Sequence, residues 1–347
     1  MSGKLFGDIG QYCEHGAKEN YGPNDGETIV LIQEDLYNEN SLLAAIRQDK
    51  VIRPHTSLFR LHKNGTRDFL AGSALKLPRR TLYMFSVLSS VLQLNDSFTL
   101  IADQGYQCIL SLNTMTQELR TFSGICSDYY KYAITTITGG GKDGDYYNGT
   151  YTTPSSITKS PFDSDKFLVT DYNKIRELDI SGRRLITTVY HRNTTKFKIT
   201  DILWKDGIYW VASNEGVHKY DRNWKFQGHL TRKKVLYADA IEYTVARDFE
   251  VIDVTHNIIA VPFTYYVQYR TVQESRFVTG VFSTHVDSAI AMLYDNSSSD
   301  SLLKGHYPRS LTKLADHKLA FVGQGGVVCP AHCSCIKTME LGGKMLF

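Results

Sequence analysis

A cluster of metal-binding residue types lies near the end of the sequence, in Cys-Pro-Ala-His-Cys-Ser-Cys at residues 329–335. Thiolates and imidazoles are ligands that zinc prefers, but structural zinc sites usually combine two ligand pairs that lie well apart in the sequence. The spacing of Cys333 and Cys335 is also too tight for the common zinc pattern. These thiols are therefore interpreted as disulfide partners, and neither a metal nor another cofactor is predicted.

Two further patterns could do chemistry, and neither fits a catalytic site. Residues 139–142 (Gly-Gly-Gly-Lys) lack the residue order of a phosphate-binding loop, and Asp143 and Asp145 after them would repel an anion. The sequence has no Gly-x-Ser-x-Gly segment, and none of its eleven histidines is spaced as a helical metal-binding pair. No catalytic residue is predicted.

Tyrosine and arginine, which are enriched at binding hot spots, recur in several segments. In residues 265–270 (Tyr-Tyr-Val-Gln-Tyr-Arg) strand alternation sends Tyr266 and Arg270 to one face and Tyr265 to the other. Other tyrosines lie in long connections: Tyr129, Tyr130, Tyr146 and Tyr147. Tyr266, Arg270 and these four tyrosines are the candidate binding residues for a protein or a glycan, with packing at strand edges as the alternative.

The compartment is predicted from sequons and cysteines. Five Asn-x-Ser/Thr sequons occur in turn-like or loop-like segments, where an N-glycan can be accommodated. Their asparagines are Asn64, Asn95, Asn148, Asn193 and Asn296. Six cysteines form an even set. Both features favour a secreted or extracellular protein, with a cytosolic protein as the alternative. Residues 1–20 lack an apolar core, so any signal peptide is expected outside this numbering.

An internal repeat supplies the elements that would position these residues. Its unit is an apolar strand, a turn, a second strand that ends near Asp, another turn and a strand that closes on Gly; the clearest copies are 97–126 and 154–191. The closing segments lie at 69–72, 122–124, 188–191, 226–228, 277–280 and 339–342. Twenty-two Tyr and sixteen Phe against eight Pro favour β-sheet. The repeat predicts an all-β fold, a six-bladed β-propeller with four-stranded antiparallel blades.

The repeat unit resembles the NHL repeat, in which a Pro precedes the first strand and an Asp-led turn follows the second. The matching residues are Pro154, residues 168–171 (Leu-Val-Thr-Asp), Asn173, Ile175, Arg176, Asp179 and Gly182. Residues 139–145 are similar to the loop that connects blades in that family. The resemblance is fullest over 97–191, and it implies one propeller domain over residues 1–347.

The cysteines predict two kinds of cross-link. Cys108 and Cys126 lie on successive strands of one repeat unit, where neighbouring Cβ atoms come close enough for a disulfide after modest adjustment. Cys13 lies near the start of the chain, where the terminal segments 1–26 and 327–347 are expected to close the ring. Its candidate partners, between which the sequence leaves the choice open, are Cys329, Cys333 and Cys335.

Charge and hydropathy exclude some partners. A net charge of +3 without a strong basic cluster argues against a nucleic-acid surface. The most apolar run, 82–94, is too short and too polar to span a bilayer. The predicted function is a secreted or cell-surface glycoprotein that binds a protein or a glycan, or that self-assembles as a unit of an extracellular structure. The alternatives are a metal-dependent propeller lyase or hydrolase with a channel ion, and an intracellular NHL-type propeller that binds RNA or protein.

Overall fold

The computed structural model shows β-strands joined by turns, and no helix, in the residues that it describes. These residues are 11–12, 27–38, 41–48, 55–62, 66–72, 85–126, 141–181, 184–194, 197–230, 240–245, 250–253, 258–268, 273–283, 288–295, 310–314, 318–324 and 334–340.

Within those ranges the strands form six antiparallel sheets, numbered here I to VI along the chain. Sheet I contains β2 (Glu27–Glu34), β3 (Ser41–Gln48), β4 (His55–His62) and β5 (Arg67–Gly72), and sheet II contains β6 (Leu88–Gln93), β7 (Phe98–Asp103), β8 (Cys108–Asn113) and β9 (Glu118–Ser123). Sheet III contains β10 (Gly144–Asp145), β11 (Pro154–Lys159), β12 (Lys166–Asp171), β13 (Lys174–Asp179) and β14 (Leu185–His191).

The later sheets follow the same meander. Sheet IV contains β15 (Ile199–Lys205), β16 (Ile208–Ser213), β17 (Gly216–Tyr220) and β18 (Phe226–Leu230). Sheet V contains β19 (Ala240–Val245), β20 (Glu250–Asp253), β21 (Ile258–Gln268), β22 (Gln273–Ser283) and β23 (Ser288–Asp295). Sheet VI contains β24 (Leu311–Leu314), β25 (Lys318–Gln324), β26 (Ser334–Glu340) and β1 (Gln11–Tyr12).

The fold is an all-β propeller with antiparallel four-stranded blades, but the prediction of six such blades is wrong. Four sheets, not six, have the predicted four strands, because sheets III and V each contain five. In sheet III the connection before β11 folds back along the outer edge, so that β10 pairs with β14. In sheet V the extra strand β20 pairs with β21. In sheet VI, β1 pairs with β26 through Tyr12 and Ile336, while closure of a complete ring stays a prediction.

Sheets II, III and IV pack through β6, β11 and β15, the first strands of their four-stranded meanders, since β11 contacts both β6 and β15. The Ser89 hydroxyl donates to the carbonyl oxygen of Pro154 at 2.8 Å, and the equivalent Ser155 hydroxyl donates to that of Ile199 at 3.1 Å. Both contacts join the starts of neighbouring first strands. Sheets II, III and IV therefore present their first-to-second and third-to-fourth strand turns at the same end, which is called the turn end below.

Two features of the predicted repeat have a clear structural role. Asp103 and Asp171 end the strands β7 and β12, and each carboxylate accepts N–H groups from the connection that leads into the preceding strand, β6 or β11. The donors are Ser86 and Val87 for Asp103, and Thr152 and Thr153 for Asp171. Closing glycines Gly72, Gly124 and Gly228 have φ values of 116°, 85° and 145°, which side-chain-bearing residues rarely adopt.

One predicted closing segment does not end its sheet. Residues 277–280 lie within β22, and β23 follows as a further strand of sheet V. Gly280 there adjoins a register shift in the pairing of β22 with β23. A glycine that accommodates a bulge inside a strand gives the same local sequence pattern as one that ends a blade, which is why the pattern misplaced this boundary.

The predicted disulfide between Cys108 and Cys126 is confirmed. Cys108 is the first residue of β8 and is buried, and Cys126 lies just beyond the end of β9. Of the other cysteines, Cys335 lies in β26, where only the backbone is described. Cys13, Cys329 and Cys333 lie outside the described residues.

Candidate functional site

A row of aromatic residues crosses sheet IV, with one residue on each strand. Trp204 is the register partner of Tyr209, Tyr209 of Tyr220, and Tyr220 of Phe226. Directly paired residues of neighbouring strands project to the same face of a sheet, so the four rings share one face. Trp204 and Tyr209 lie with their ring centroids 4.5 Å apart.

The hairpin turns explain this placement. Asp206 and Gly207 form the two-residue turn between β15 and β16, and both have positive φ values, 47° and 83°. An Asp-Gly pair suits that backbone, because such turns require left-handed conformations. The turn fixes the register in which Trp204 lies opposite Tyr209.

Trp224 is added to the row by the turn between β17 and β18. The Asp221 carboxylate accepts the N–H groups of Asn223 and Lys225, both at 2.9 Å, and the Asp221 carbonyl accepts the N–H of Trp224 at 3.0 Å. The hydrogen bond from Lys225 is the main reason that the pKa of the Asp221 carboxyl is lowered. The turn holds the Trp224 ring parallel to that of Tyr209, with centroids 4.3 Å apart.

Sheet III completes the site with two further rings. Phe162 lies in the turn between β11 and β12, and its ring meets that of Trp204 edge-on at 4.9 Å. Tyr190 of β14 packs against Trp224 at 5.5 Å, and its hydroxyl lies 2.9 Å from that of Tyr220. The aromatic cluster is defined as Phe162, Tyr190, Trp204, Tyr209, Tyr220, Trp224 and Phe226.

Burial keeps the two innermost tyrosines of the cluster, Tyr209 and Tyr220, uncharged. Burial raises the pKa of Tyr209 to about 12, and the nearby Glu177 carboxylate adds to this effect. Burial, together with the Tyr190 hydroxyl, also raises the pKa of Tyr220. Glu177 itself pairs with Lys166, with the Lys166 Nζ 2.8 Å from its carboxylate. Neither Tyr209 nor Tyr220 is therefore suited to donate or accept a proton near neutral pH, and the cluster is equipped for apolar contact.

The exposed part of the cluster is formed by two phenylalanines. Phe162 is 57% exposed and Phe226 is 51% exposed, whereas Tyr209 and Tyr220 are buried. Large apolar side chains anchored by a packed base, with their outer surface in water, are typical of protein interaction sites. The arrangement can therefore bind an apolar surface of a partner.

None of these seven rings is among the candidate binding residues predicted from the sequence. A usable signal is present in Trp-Lys-Asp-Gly-Ile-Tyr at 204–209, because a two-residue Asp-Gly turn places the flanking aromatic residues opposite each other. The contribution of Phe162 and Tyr190 has no such signal, because they come from another sheet.

Two of the predicted tyrosines, Tyr146 and Tyr147, lie in different environments although they are adjacent in the sequence. Tyr147 is 77% exposed in the turn after β10. Tyr146 is buried, packs against Phe122 and donates its hydroxyl hydrogen to the Asp179 carbonyl at 2.7 Å, so its ring belongs to the core. Tyr266 lies in β21, where only the backbone is described. Tyr129, Tyr130 and Arg270 lie outside the described residues.

Three of the five sequons can be placed, and their asparagines are exposed: Asn95, Asn148 and Asn193. The Asn95 side-chain oxygen accepts the N–H groups of Ser97 and Phe98. The Asn148 amide nitrogen donates instead to the Asp145 carboxylate at 2.9 Å. Asn64 and Asn296 lie outside the described residues.

No group of three or more His, Cys, Asp or Glu side chains that could hold a metal ion occurs in the part of the chain that the structure describes. In that same part, no helix has the length and apolar character needed to cross a bilayer.

No protein-family model matches the chain, and no curated protein matches its sequence. Solved structures similar to it include the extracellular domain of a hybrid two-component system from B. thetaiotaomicron, at 11% identity and a TM-score of 0.47. That match covers 91% of this chain, which spans only 39% of the other. The virginiamycin B lyase of Staphylococcus aureus matches at 9% identity and a TM-score of 0.49, over 96% of this chain and 99% of that one.

A third similar structure is YCF48 bound to D1 peptide, at 7% identity and a TM-score of 0.48, over 95% of this chain and 82% of that one. All three TM-scores are below 0.5, so the fold assignment rests on the sheet arrangement described above.

Proposed function

We propose that this chain is an extracytoplasmic binding module that recognises a protein through the aromatic cluster. The observation that carries the proposal is the exposure of Phe162 and Phe226 on a packed base of five further rings. A soluble protein gains nothing for its own stability from keeping such rings in water, whereas a partner that covers them removes apolar surface from water.

The surroundings support an apolar interface at the turn end. Six of the nine exposed large apolar residues in the described part of the chain lie in or beside first-to-second or third-to-fourth strand turns. They are Leu36, Tyr37, Phe98, Met115, Phe162 and Phe226. Aromatic residues and methionine are enriched at interface cores.

A protein suits this surface better than a glycan. Sugar rings stack on open aromatic faces and need hydrogen-bonding groups beside them. Here Tyr209 and Trp224 each cover one face of the other ring, at an interplanar angle of 3°. The hydroxyls of Tyr190 and Tyr220 are bonded to each other, and the two exposed rings carry no polar atom.

The double substitution Phe162→Ser and Phe226→Ser is expected to weaken partner binding by at least about thirtyfold, because even one aromatic hot spot contributes about 2 kcal/mol or more. A photo-crosslinking amino acid at position 162, in native extracellular fluid, would identify the partner. Isothermal titration calorimetry would then measure the affinity of that partner for the wild type and for the double variant.

The matched control is Val87→Ser with Ile125→Ser, two exposed apolar residues that lie away from the turn end. That control should bind like the wild type. An equal loss of partner affinity in both double variants would contradict the proposed surface. A partner that binds only through its carbohydrate would contradict it as well.

The extracytoplasmic placement is supported by the Cys108–Cys126 disulfide and by the exposure of three sequon asparagines. Mass mapping of natively produced protein is expected to find N-glycan on Asn95 and Asn193, with lower occupancy at Asn148, whose amide nitrogen is engaged by Asp145. The same mapping should link Cys13 to one of Cys329, Cys333 and Cys335. Unmodified asparagines throughout, with Cys13 as a free thiol, would argue for a reducing compartment.

We also propose a single domain and a closed ring. The chain would form one domain over residues 1–347, with blades of NHL-type ancestry and a ring closed by the terminal segments. Contacts between β2 and β24 and between β20 and β24, together with the pairing of β1 with β26, support the closure. The repeated Asp103 and Asp171 turns support the NHL-type repeat.

A further inference from the structure

An asparagine–glycine pair, Asn148-Gly149, lies in the turn that follows β10, and neither residue belongs to the aromatic cluster. Asn148 is exposed and Gly149 is buried. Asparagine followed by glycine is the pair most open to deamidation, because glycine has no Cβ to hinder its nitrogen from attacking the Cγ atom of the asparagine. The sequence has another such pair at residues 64–65, which lies outside the described residues.

The packing of sheet III requires the glycine. A Cβ atom on Gly149 would lie 2.5 Å from Cδ1 of Ile186 and 3.0 Å from the carbonyl oxygen of Asp145. Ile186 is a buried core residue of β14, and Asp145 pairs with Leu185 of the same strand. A larger residue at position 149 would therefore push β10 and β14 apart. The fold keeps a glycine beside Asn148, and with it a reactive pair.

Asp145 holds this turn closed. Its carboxylate accepts the N–H groups of Tyr147 at 2.9 Å and of Asn148 at 2.8 Å, and it also accepts a hydrogen bond from Asn148 Nδ2 at 2.9 Å. That side-chain hydrogen bond is the main reason that the pKa of the Asp145 carboxyl is lowered. The Asp145 carbonyl accepts the Gly149 N–H at 2.7 Å. The Gly149 nitrogen can attack only when the turn opens, so Asp145 controls the rate of the reaction.

We propose that Asn148 is a deamidation site in chains that carry no glycan there, and that its product loosens β10 from sheet III. In the open turn the Gly149 nitrogen gives up its proton and bonds to Asn148 Cγ, while the bond from Cγ to Nδ2 breaks and Nδ2 leaves as ammonia. Water then opens the cyclic succinimide at either carbonyl, which gives aspartate or isoaspartate. Water is the only co-reactant. Nδ2 is also the atom that an N-glycan would occupy, so a glycan blocks this route.

Neither product fits the closed turn. An aspartate at position 148 places a carboxylate where the Asn148 amide donated to Asp145, and two carboxylates at that distance repel each other. An isoaspartate adds a backbone atom before Gly149, which displaces the N–H that the Asp145 carbonyl accepts. Both changes weaken the turn next to β10, which pairs with β14 through Gly144 and Asp145. A loosened β10 leaves the outer edge of β14 less covered.

Peptide mapping by mass spectrometry tests the reaction. The full chain is produced in a bacterial periplasm, where the disulfide forms and no N-glycan is added, and is then kept at mildly alkaline pH. Asn148 should convert at least about tenfold faster than Asn223, an exposed turn asparagine that is followed by Trp224. Asp145→Ala should make Asn148 convert faster still. Conversion of Asn148 no faster than that of Asn223, or no acceleration by Asp145→Ala, would overturn the proposal.

Hydrogen exchange tests the consequence for β10. Asn148→Asp copies the aspartate product, and the Gly149 and Tyr146 amides should exchange at least about tenfold faster in this variant than in the wild type. The Trp224 amide, which donates to the Asp221 carbonyl in sheet IV, should exchange as in the wild type. The matched variant Asn148→Ser removes the amide donor without adding a charge and should lie closer to the wild type. Equal protection of Gly149 and Tyr146 in Asn148→Asp and the wild type would show that the product does not loosen β10.

Discussion

Replacing Asp171 by Ala is expected to lower the free energy of unfolding by about 3–5 kcal/mol. Asp171 is buried, and its carboxylate accepts the N–H groups of Thr152 and Thr153, both at 2.7 Å. It also accepts a hydrogen bond from the guanidinium of Arg176, which is fully buried, at 3.1 Å. The substitution leaves two N–H groups without their acceptor and removes one of the two carboxylates that neutralise a buried cation.

Arg176 makes this loss extend beyond a single turn. Its guanidinium also donates to the carbonyl oxygens of Lys142 and Thr150 and pairs with Asp143. The connection that carries β10 is therefore attached to sheet III through the same side chain that Asp171 neutralises. Loss of Asp171 should loosen β10 as well as the turn.

Urea unfolding followed by tryptophan fluorescence measures the effect. The matched control is Asp163→Ala, which removes an exposed turn aspartate whose carboxylate accepts the N–H of Asp165. We expect that control to lower the free energy of unfolding by less than about 1 kcal/mol. An Asp171→Ala variant as stable as Asp163→Ala would show that the repeated Asp-led turn does not hold the sheet to its preceding connection.

Removal of the Cys108–Cys126 disulfide is expected to lower the free energy of unfolding by about 3 kcal/mol. In the chain-entropy treatment this follows because the bond closes a loop with a sequence separation of 18 residues. The double variant Cys108→Ala and Cys126→Ala avoids placing a hydroxyl at the buried Cys108 position. Its unfolding midpoint in urea should fall below that of the oxidised wild type.

Reductant provides the internal control for this prediction. The wild type in dithiothreitol should unfold close to the double variant, while the double variant itself should not respond to dithiothreitol. A wild type that is insensitive to reductant would mean that the bond contributes nothing to the unfolding equilibrium.

Much of the repeat could be predicted because its residues act locally. An Asp that ends a strand and binds N–H groups nearby, or a glycine at a positive φ, imposes the same sequence pattern wherever it occurs. Asp103, Asp171, Gly72 and Gly124 were all found in this way. The pattern failed at Gly280, where the same residue type serves a bulge inside β22.

The candidate binding surface could not be predicted, because contacts between sheets create it. Tyr146 and Tyr147 are adjacent and chemically identical, yet the first is buried and the second is exposed. Phe162 gains its place beside Trp204 only when sheets III and IV pack together. No local pattern carries that information, since the two residues lie in different repeat units.

The sequence by itself determined the β class, the repeat with its Asp-led turns and closing glycines, and the Cys108–Cys126 pair. These depend on backbone conformation and on residues that are close along the chain. Only the tertiary structure decided which sheets gain a fifth strand and that the candidate surface is an aromatic cluster between two sheets. Those features depend on side chains from separate sheets meeting, and their positions are set by packing and not by spacing in the sequence.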